Sequence, residues 1–267
     1  MPHLKIALVQ TELAWEDPGA NRVRFDERLA ALGDAPDLVV LPEMFTTGFT
    51  MAGARLAETM DGPSVAWLRD KAVHLKAHLT GSLIIEEAGT VYNRLLWATP
   101  EGQLYHYDKR HLFRMSGEHH VYGAGRQLLT VTIGPWRVRP FICYDLRFPV
   151  WTRNVGQGYD VALFVANWPA ARAAHWIALL KARAIENQAY VVGVNRVGPD
   201  GNGHAYAGDS MVVDPLGEVL YHAVNREVVH TLNLDPAPLE DYRRQFPAWR
   251  DADRWTWEQA EGGVMPE

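Results

Sequence analysis

The sequence has a single cysteine, Cys143, in 267 residues. An internal disulfide is therefore excluded, which favours a reducing compartment. Positive charge is not in excess: 26 Lys and Arg stand against 32 Asp and Glu, a formal net charge of −6. A general nucleic-acid binder needs a basic face, so nucleic acid is not expected as a partner. No apolar run approaches the length of a membrane span. The opening MPHLKIALVQ has no basic n-region followed by a long apolar stretch, so no signal peptide is expected. These absences predict a soluble, cytoplasmic protein with no membrane partner. Also missing are a G-x-S-x-G elbow, a P-loop and a G-x-G-x-x-G fingerprint. No linker, repeat or low-complexity segment interrupts the chain, which reads as one domain over residues 1–267. What is present is apolar: 48% hydrophobic against 22% charged residues, enough to bury a full core. Ten tryptophans fit either broad interfaces or a lined pocket.

Hydrophobic periodicity orders the elements. Leu4–Val9 is a short strand, and Asp17-Pro18 has the form of an N-cap with proline at N1, opening a helix through Leu32 that Gly33 closes. Asp37–Leu41 (DLVVL) is apolar throughout, as in a strand covered on both faces, and it ends in Pro42-Glu43. A second helix is expected over Ser64–Ala77. His74 and His78 fall four apart there, a metal-compatible spacing, but they lie among Lys71 and Lys76 with no third ligand in register, so no metal site is expected. Leu79–Ile85, Thr90–Ala98 and Gln103–Tyr107 read as a meander ending in Asp108-Lys109-Arg110-His111. The long irregular stretch Phe113–Gln127 carries Glu118, His119 and His120, and a loop of that length is more often functional than idle. Leu128–Ile133 and Trp136–Cys143 form a hairpin, and Pro149–Gln157 a helix. Asp160–Ala166 is a buried strand, followed by Asn167-Trp168-Pro169 and the longest helix, Ala171–Ala189. Tyr190–Val194, Ala205–Val213, Val219–Tyr221 and Val228–Leu234 are the remaining strands, with a short helix after Pro238. Residues 249–267 read as a polar, tryptophan-bearing extension that packs at an interface. About a dozen strands against four substantial helices is too few helices for a doubly wound sheet or an α/β barrel. Two stacked mixed sheets covered outside by helices, a four-layer α-β-β-α sandwich, accommodate that ratio.

The chemistry-bearing residues gather at strand ends. Cys143 closes the run VRPFICYDLRFP, and Glu43 and Lys109 each sit just past a predicted strand. If those strands lie side by side, the three side chains meet at one rim. A thiol needs a base, a carboxylate can serve as one, and a lysine beside them can stabilise a thiolate or an oxyanion. The N–H of Tyr144 is a natural second oxyanion donor. Taken singly, Glu43 could hold a loop, Lys109 could be solvated and Cys143 could be packing. The residues alone leave both readings open.

At these positions the sequence resembles the nitrilase-like carbon–nitrogen hydrolase superfamily. The resemblance rests on LVVLPEMFTTGF with Glu43, YHYDKRHLF with Lys109 and ICYDLRFP with Cys143. It extends to NWP at Asn167–Pro169, RAIENQAYVVGVNRVG from Arg183 and GDSMVVDPLGEV from Gly208. It implies an α-β-β-α sandwich, usually a homodimer or higher homo-oligomer, and neither cofactor nor metal. It implies catalytic roles for Glu43, Lys109 and Cys143, with Glu118 as a second active-site glutamate. PEMFTTGF, CYDLRFP and RAIENQAY are similar to the omega-amidase-like branch, which implies a small 2-oxo acid amide as substrate, of the 2-oxoglutaramate or 2-oxosuccinamate type. The substrate carboxylate then needs a cation, and Arg172 and Arg147 are the candidates, with Trp168 beside them. Arg147 is expected to pair with Asp145, and His175 to be a packing or capping residue. Deaminated glutathione, an N-carbamoyl compound or a non-catalytic binding role on the same scaffold are the alternatives.

Overall fold

A computed structural model describes residues 1–33 and 35–253. Its strands are β1 (Leu4–Gln10), β2 (Leu38–Val40), β3 (His78–Glu87), β4 (Thr90–Ala98), β5 (Leu104–Asp108), β6 (Val131–Ile133), β7 (Trp136–Ile142), β8 (Val161–Val165), β9 (Tyr190–Val194), β10 (Val197–Pro199), β11 (Ala205–Val213), β12 (Val219–Val224) and β13 (Val228–Leu234). Its α-helices are α1 (Pro18–Ala30), α2 (Gly53–Leu56), α3 (Pro63–Leu75), α4 (Glu118–Val121), α5 (Pro149–Thr152), α6 (Ala173–Asn187) and α7 (Pro236–Gln245). The strands form two mixed sheets, in the orders β13-β1-β2-β3-β4-β5 and β10-β11-β9-β8-β7-β6, with β12 paired to β11.

Alternation along the strands builds the layers. In the first sheet Leu4, Ile6, Leu8, Leu38 and Val40 face the second sheet, whereas Ala7, Val9, Val39 and Leu41 pack under Phe25 and Leu29 of α1 and Val65 and Leu68 of α3. A chain with apolar residues on both strand faces must cover both, and this is the α-β-β-α sandwich. On the second sheet α6 lies so close that a Cβ at Gly193 would stand 2.7 Å from the Trp176 ring and 2.6 Å from Leu180, so only glycine fits there. Among the described residues no helix is long and apolar enough to cross a membrane.

Several boundaries differ from the periodicity reading. The segment 149–157 is not one helix: α5 stops at Thr152, and a 3₁₀ turn over Val155–Gln157 follows, with Gly156 left-handed. Asn154 breaks it, because its side chain bonds the backbone of Tyr159 and Asn187 instead of solvent. α3 ends at Leu75 with Lys76 left-handed, so His78 falls in β3, where its Nδ1 accepts from Trp97 Nε1 at 3.0 Å. His74 and His78 thus do not share a helix face. The stretch 113–127 is not wholly irregular, since α4 and a 3₁₀ turn at Arg114–Ser116 lie within it. The short β10 and α2 have no periodicity of their own. The interface role expected for residues 249–267 falls mainly on 254–267, outside the described residues.

Candidate active site

The elbow at Cys143 is a strained turn held by a buried carboxylate. β7 ends at Ile142, and Cys143 takes a left-handed φ of 43° as it opens a 3₁₀ turn through Arg147. A residue with a β-carbon costs about 1–3 kcal/mol in such a position, so the surroundings must impose it. Asp145, fully buried, does so. Its Oδ2 accepts from Ile142 N at 3.1 Å and from Tyr107 Oη at 2.7 Å, while Oδ1 accepts from His111 N at 3.0 Å and faces His111 Nδ1 at 2.8 Å. Trp151 Nε1 donates to Tyr107 Oη at 2.9 Å, and Arg183 donates twice to Leu146 O, at 3.1 and 2.7 Å. With every lone-pair direction of Asp145 occupied, the expected Arg147–Asp145 pair does not form. Arg147 lies instead over the Trp168 ring, 4.8 Å from its centroid, and its Nη2 is 3.0 Å from His175 Nδ1. His175 is therefore a partner of Arg147 and not a helix cap.

Glu43 and Lys109 arrive from the other sheet. β2 and β5 run parallel, since β2 pairs parallel to β3 and two antiparallel steps lead from β3 to β5. Their carboxyl ends share one rim although two strands separate them. The expectation of side-by-side strands is thus corrected: Glu43 and Lys109 lie on one sheet and Cys143 on the facing one, and the site is built across the sandwich. Lys109 Nζ donates to Glu43 Oε1 at 2.9 Å and to both Glu118 oxygens at 3.0 Å. Asn93 Nδ2 donates to Glu43 Oε1 at 2.8 Å and reaches Glu118 Oε1 at 3.4 Å. Asn167 N donates to Glu43 Oε2 at 2.8 Å, and Phe113 N to Glu118 Oε2 at 2.5 Å. Glu43, Asn93, Lys109 and Glu118 are all fully buried, so this is a dry cluster of two carboxylates on one ammonium.

Burial and charge set the resting protonation. Burial pushes the Cys143 thiol well up, and the carboxylate of Glu43 pushes the same way, while Lys109 opposes them. Burial and Glu43 thus favour the neutral thiol over the thiolate. Burial alone would lower the Lys109 pKa, but Glu118 and Glu43 override it and hold the ammonium charged. Burial raises Glu118, Lys109 pulls it back and the charge of Glu43 raises it again.

Cys143 lines a cavity of about 630 Å³ walled by Phe49, Phe113, Tyr144, Trp168, Arg147 and Arg172. The Arg172 guanidinium lies 5.4 Å from the Phe113 ring centroid. Neither Arg147 nor Arg172 has a carboxylate partner among the described residues. The N–H of Tyr144 belongs to the first residues of its turn, which lack an intra-turn partner. Asn167 and Asn195 fall inside sequence motifs, NWP and RAIENQAYVVGVNRVG, that give neither a role, and Asn93 falls in none. The available signal was an asparagine inside or just beyond an apolar strand, in VYNRLLWA, ALFVAN and YVVGVN.

Comparison with known proteins agrees with this architecture. The model of the family described as Carbon-nitrogen hydrolase matches residues 5–244. Omega-amidase YafV of Escherichia coli (strain K12) is 50% identical over 257 residues, spanning 96% of this chain and 99% of that protein. A 2-oxoglutaramate amidase of Bacillus subtilis is 32% identical over 250 residues, spanning 92% and 96%. The crystal structure of XC1258 from Xanthomonas campestris, a CN-hydrolase superfamily protein with an arsenic adduct in its active site, has a TM-score of 0.95 at 48% identity and covers 97% of this chain and 100% of that one. In sequence and in backbone alike, the chain belongs to the carbon–nitrogen hydrolase family.

Proposed function

We propose that the chain hydrolyses the terminal amide of a small 2-oxo acid, of the 2-oxoglutaramate or 2-oxosuccinamate type, to the dicarboxylic acid and ammonia. The observation that carries this reading is the Lys109 ammonium held between Glu43 and Glu118 beneath a pocket that opens onto Cys143. The names of the two relatives above, an omega-amidase and a 2-oxoglutaramate amidase, support the substrate class.

The steps follow from the groups in place. The Glu43 carboxylate takes the proton of the Cys143 thiol, and the sulfur electron pair attacks the amide carbon. The carbonyl oxygen becomes an oxyanion, held by Lys109 Nζ and the N–H of Tyr144. Glu43 returns its proton to the amide nitrogen, the C–N bond breaks and ammonia leaves, with a thioester on Cys143. A water gives a proton to Glu43 and its oxygen attacks the thioester. The C–S bond breaks, the acid departs and Glu43 reprotonates the thiolate. Glu118, with Lys109, holds the floor of the site and orients the water. Every group in these steps belongs to this chain or is water.

Arg172 takes the substrate's carboxylate, with Arg147 and Trp168 beside it. A charge-assisted hydrogen bond is worth about 1.5–3 kcal/mol, so Arg172→Ala is expected to raise KM by about tenfold or more with kcat little changed. Ammonia release over a range of 2-oxoglutaramate concentrations reads both quantities. The same assay with N-carbamoyl compounds and deaminated glutathione tests the substrate class. A preference for either of those, or an unchanged KM in Arg172→Ala, contradicts this reading. The proposal includes one domain, cytoplasmic residence and a homodimer. Ile185, Leu216 and Leu220 are exposed apolar side chains that such a dimer could cover.

A further inference from the structure

The Asn167–Trp168 segment touches both reacting groups. Asn167 N holds Glu43 Oε2 at 2.8 Å, its Nδ2 donates to the Glu43 backbone O at 2.5 Å, and its own O lies 4.0 Å from Cys143 Sγ. One residue on, Asn195 grips the chain. Trp168 N donates to Asn195 Oδ1 at 2.8 Å, and Asn195 Nδ2 donates back to Trp168 O at 3.0 Å. The side-chain amide thus pairs with the Trp168 backbone as a neighbouring strand would. Asn195 is itself fixed. Its Nδ2 also donates to Gly208 O at 2.6 Å, its N donates to Ser210 Oγ at 2.9 Å, and Ser210 N donates to Gln10 Oε1 at 2.9 Å. Asn195, Ser210 and Gln10 are all buried, so water does not compete for these bonds.

The two oxygens of Glu43 are not equivalent. Oε1 accepts from Lys109 Nζ and Asn93 Nδ2, which occupies both its lone pairs. Oε2 accepts from Asn167 N, which leaves it one lone pair; the Cys143 thiol also bonds the Glu43 carboxylate. Oε2 is the oxygen free to receive a proton, and the N–H that orients it sits on the segment Asn195 clamps.

We propose that Asn195 is a positioning residue for proton transfer from Cys143 to Glu43. By pairing with Trp168 it fixes Asn167, whose N–H holds Oε2 where the thiol proton is delivered. The S–H bond breaks, the proton passes to Oε2 and the electron pair stays on sulfur for the attack on carbon. This inference rests on the reading of Cys143 as nucleophile and Glu43 as its base.

A misplacement of about 1 Å costs on the order of a hundredfold in rate. Asn195→Ala is therefore expected to lower kcat by about ten- to a hundredfold with KM changed by less than about threefold. The rate constant for Cys143 alkylation by iodoacetamide should fall in parallel, read on protein that melts cooperatively. A purely structural asparagine would lower the melting temperature but leave the thiol of folded molecules as reactive as before. Glu43→Gln, run alongside, separates the two ways of failing. If Glu43→Gln alkylates at the wild-type rate, the base assignment fails and the inference with it. If Glu43→Gln is slow while folded Asn195→Ala alkylates at the wild-type rate, the positioning role alone is overturned. Should the alanine protein not melt cooperatively, Asn195→Asp decides. It keeps the size and the acceptor for Trp168 N and loses the donor, and the same parallel loss is expected.

Discussion

Cys143→Ala is expected to abolish ammonia release and leave the fold intact. The thiol is the group that the proposed mechanism acylates, and removing a nucleophile costs on the order of a millionfold in kcat. The structural cost is small by comparison. Cys143 is 9% exposed, and its Sγ makes weak contacts, to Asn167 O at 4.0 Å and to the Glu43 carboxylate. Alanine also carries a β-carbon, so the left-handed φ at this position is no more strained than before. The turn is held by Asp145 and Arg183 through Ile142 N, Tyr107, His111 and Leu146 O, none of which involves the sulfur. Ammonia assays and thermal melts on the same preparation check both halves. Substantial turnover by the alanine protein, or a melting temperature far below that of the wild type, contradicts the assignment.

Lys109→Met is expected to lose both activity and stability, with the stability loss depending on pH. Among the described residues Lys109 is the one cation bonded to Glu43 and Glu118, all three being fully buried. Removing one partner of a buried ion pair costs about 3–5 kcal/mol, because the remaining charge is left without compensation. Here two carboxylates remain. Glu118 is already raised by burial and by Glu43, and Lys109, ahead of the Phe113 N–H, pulls it down. Without the lysine its folded-state pKa rises further above the unfolded value. Between those two values the folded protein binds a proton that the unfolded chain does not, so stability falls as pH rises. The melting-temperature deficit of Lys109→Met should therefore grow as pH rises above the ordinary carboxylate range. Loss of the oxyanion donor lowers kcat by about a hundredfold or more. A deficit that shrinks as pH rises would contradict the charge balance described for this cluster.

Much of this site is visible in the sequence because of where its charges stand. DLVVL running into Pro42-Glu43, and FICYD running from strand to turn, place polar chemistry where an apolar run stops, and such residues are costly to bury without use. The sandwich follows from strands apolar on both faces with too few helices to wrap each singly. What the sequence does not carry is the partition of strands between sheets. Periodicity gives each strand's faces but not its neighbours, so the meeting of Glu43, Lys109 and Cys143 is conditional on strand order in the sequence, and the site in fact spans two sheets. Arg147 was misassigned for a related reason. Asp145 is near it in sequence, but Tyr107 and His111, brought by another sheet, fill that carboxylate first. The sequence motifs contain Asn167 and Asn195 without a role and pass over Asn93, and only tertiary geometry shows them holding Glu43, Glu118 and Trp168. Their role rests on who lies opposite, which no local pattern encodes.

A thioester on Cys143 shows itself in the mass of that residue during turnover. Wild-type enzyme mixed with excess 2-oxoglutaramate, quenched rapidly in acid and digested, should yield a Cys143 peptide heavier by the acyl group, the amide less ammonia, and the adduct should vanish once substrate is consumed. Ammonia release with the Cys143 peptide unmodified at every quench time, or an acyl group found on another residue, would contradict the account.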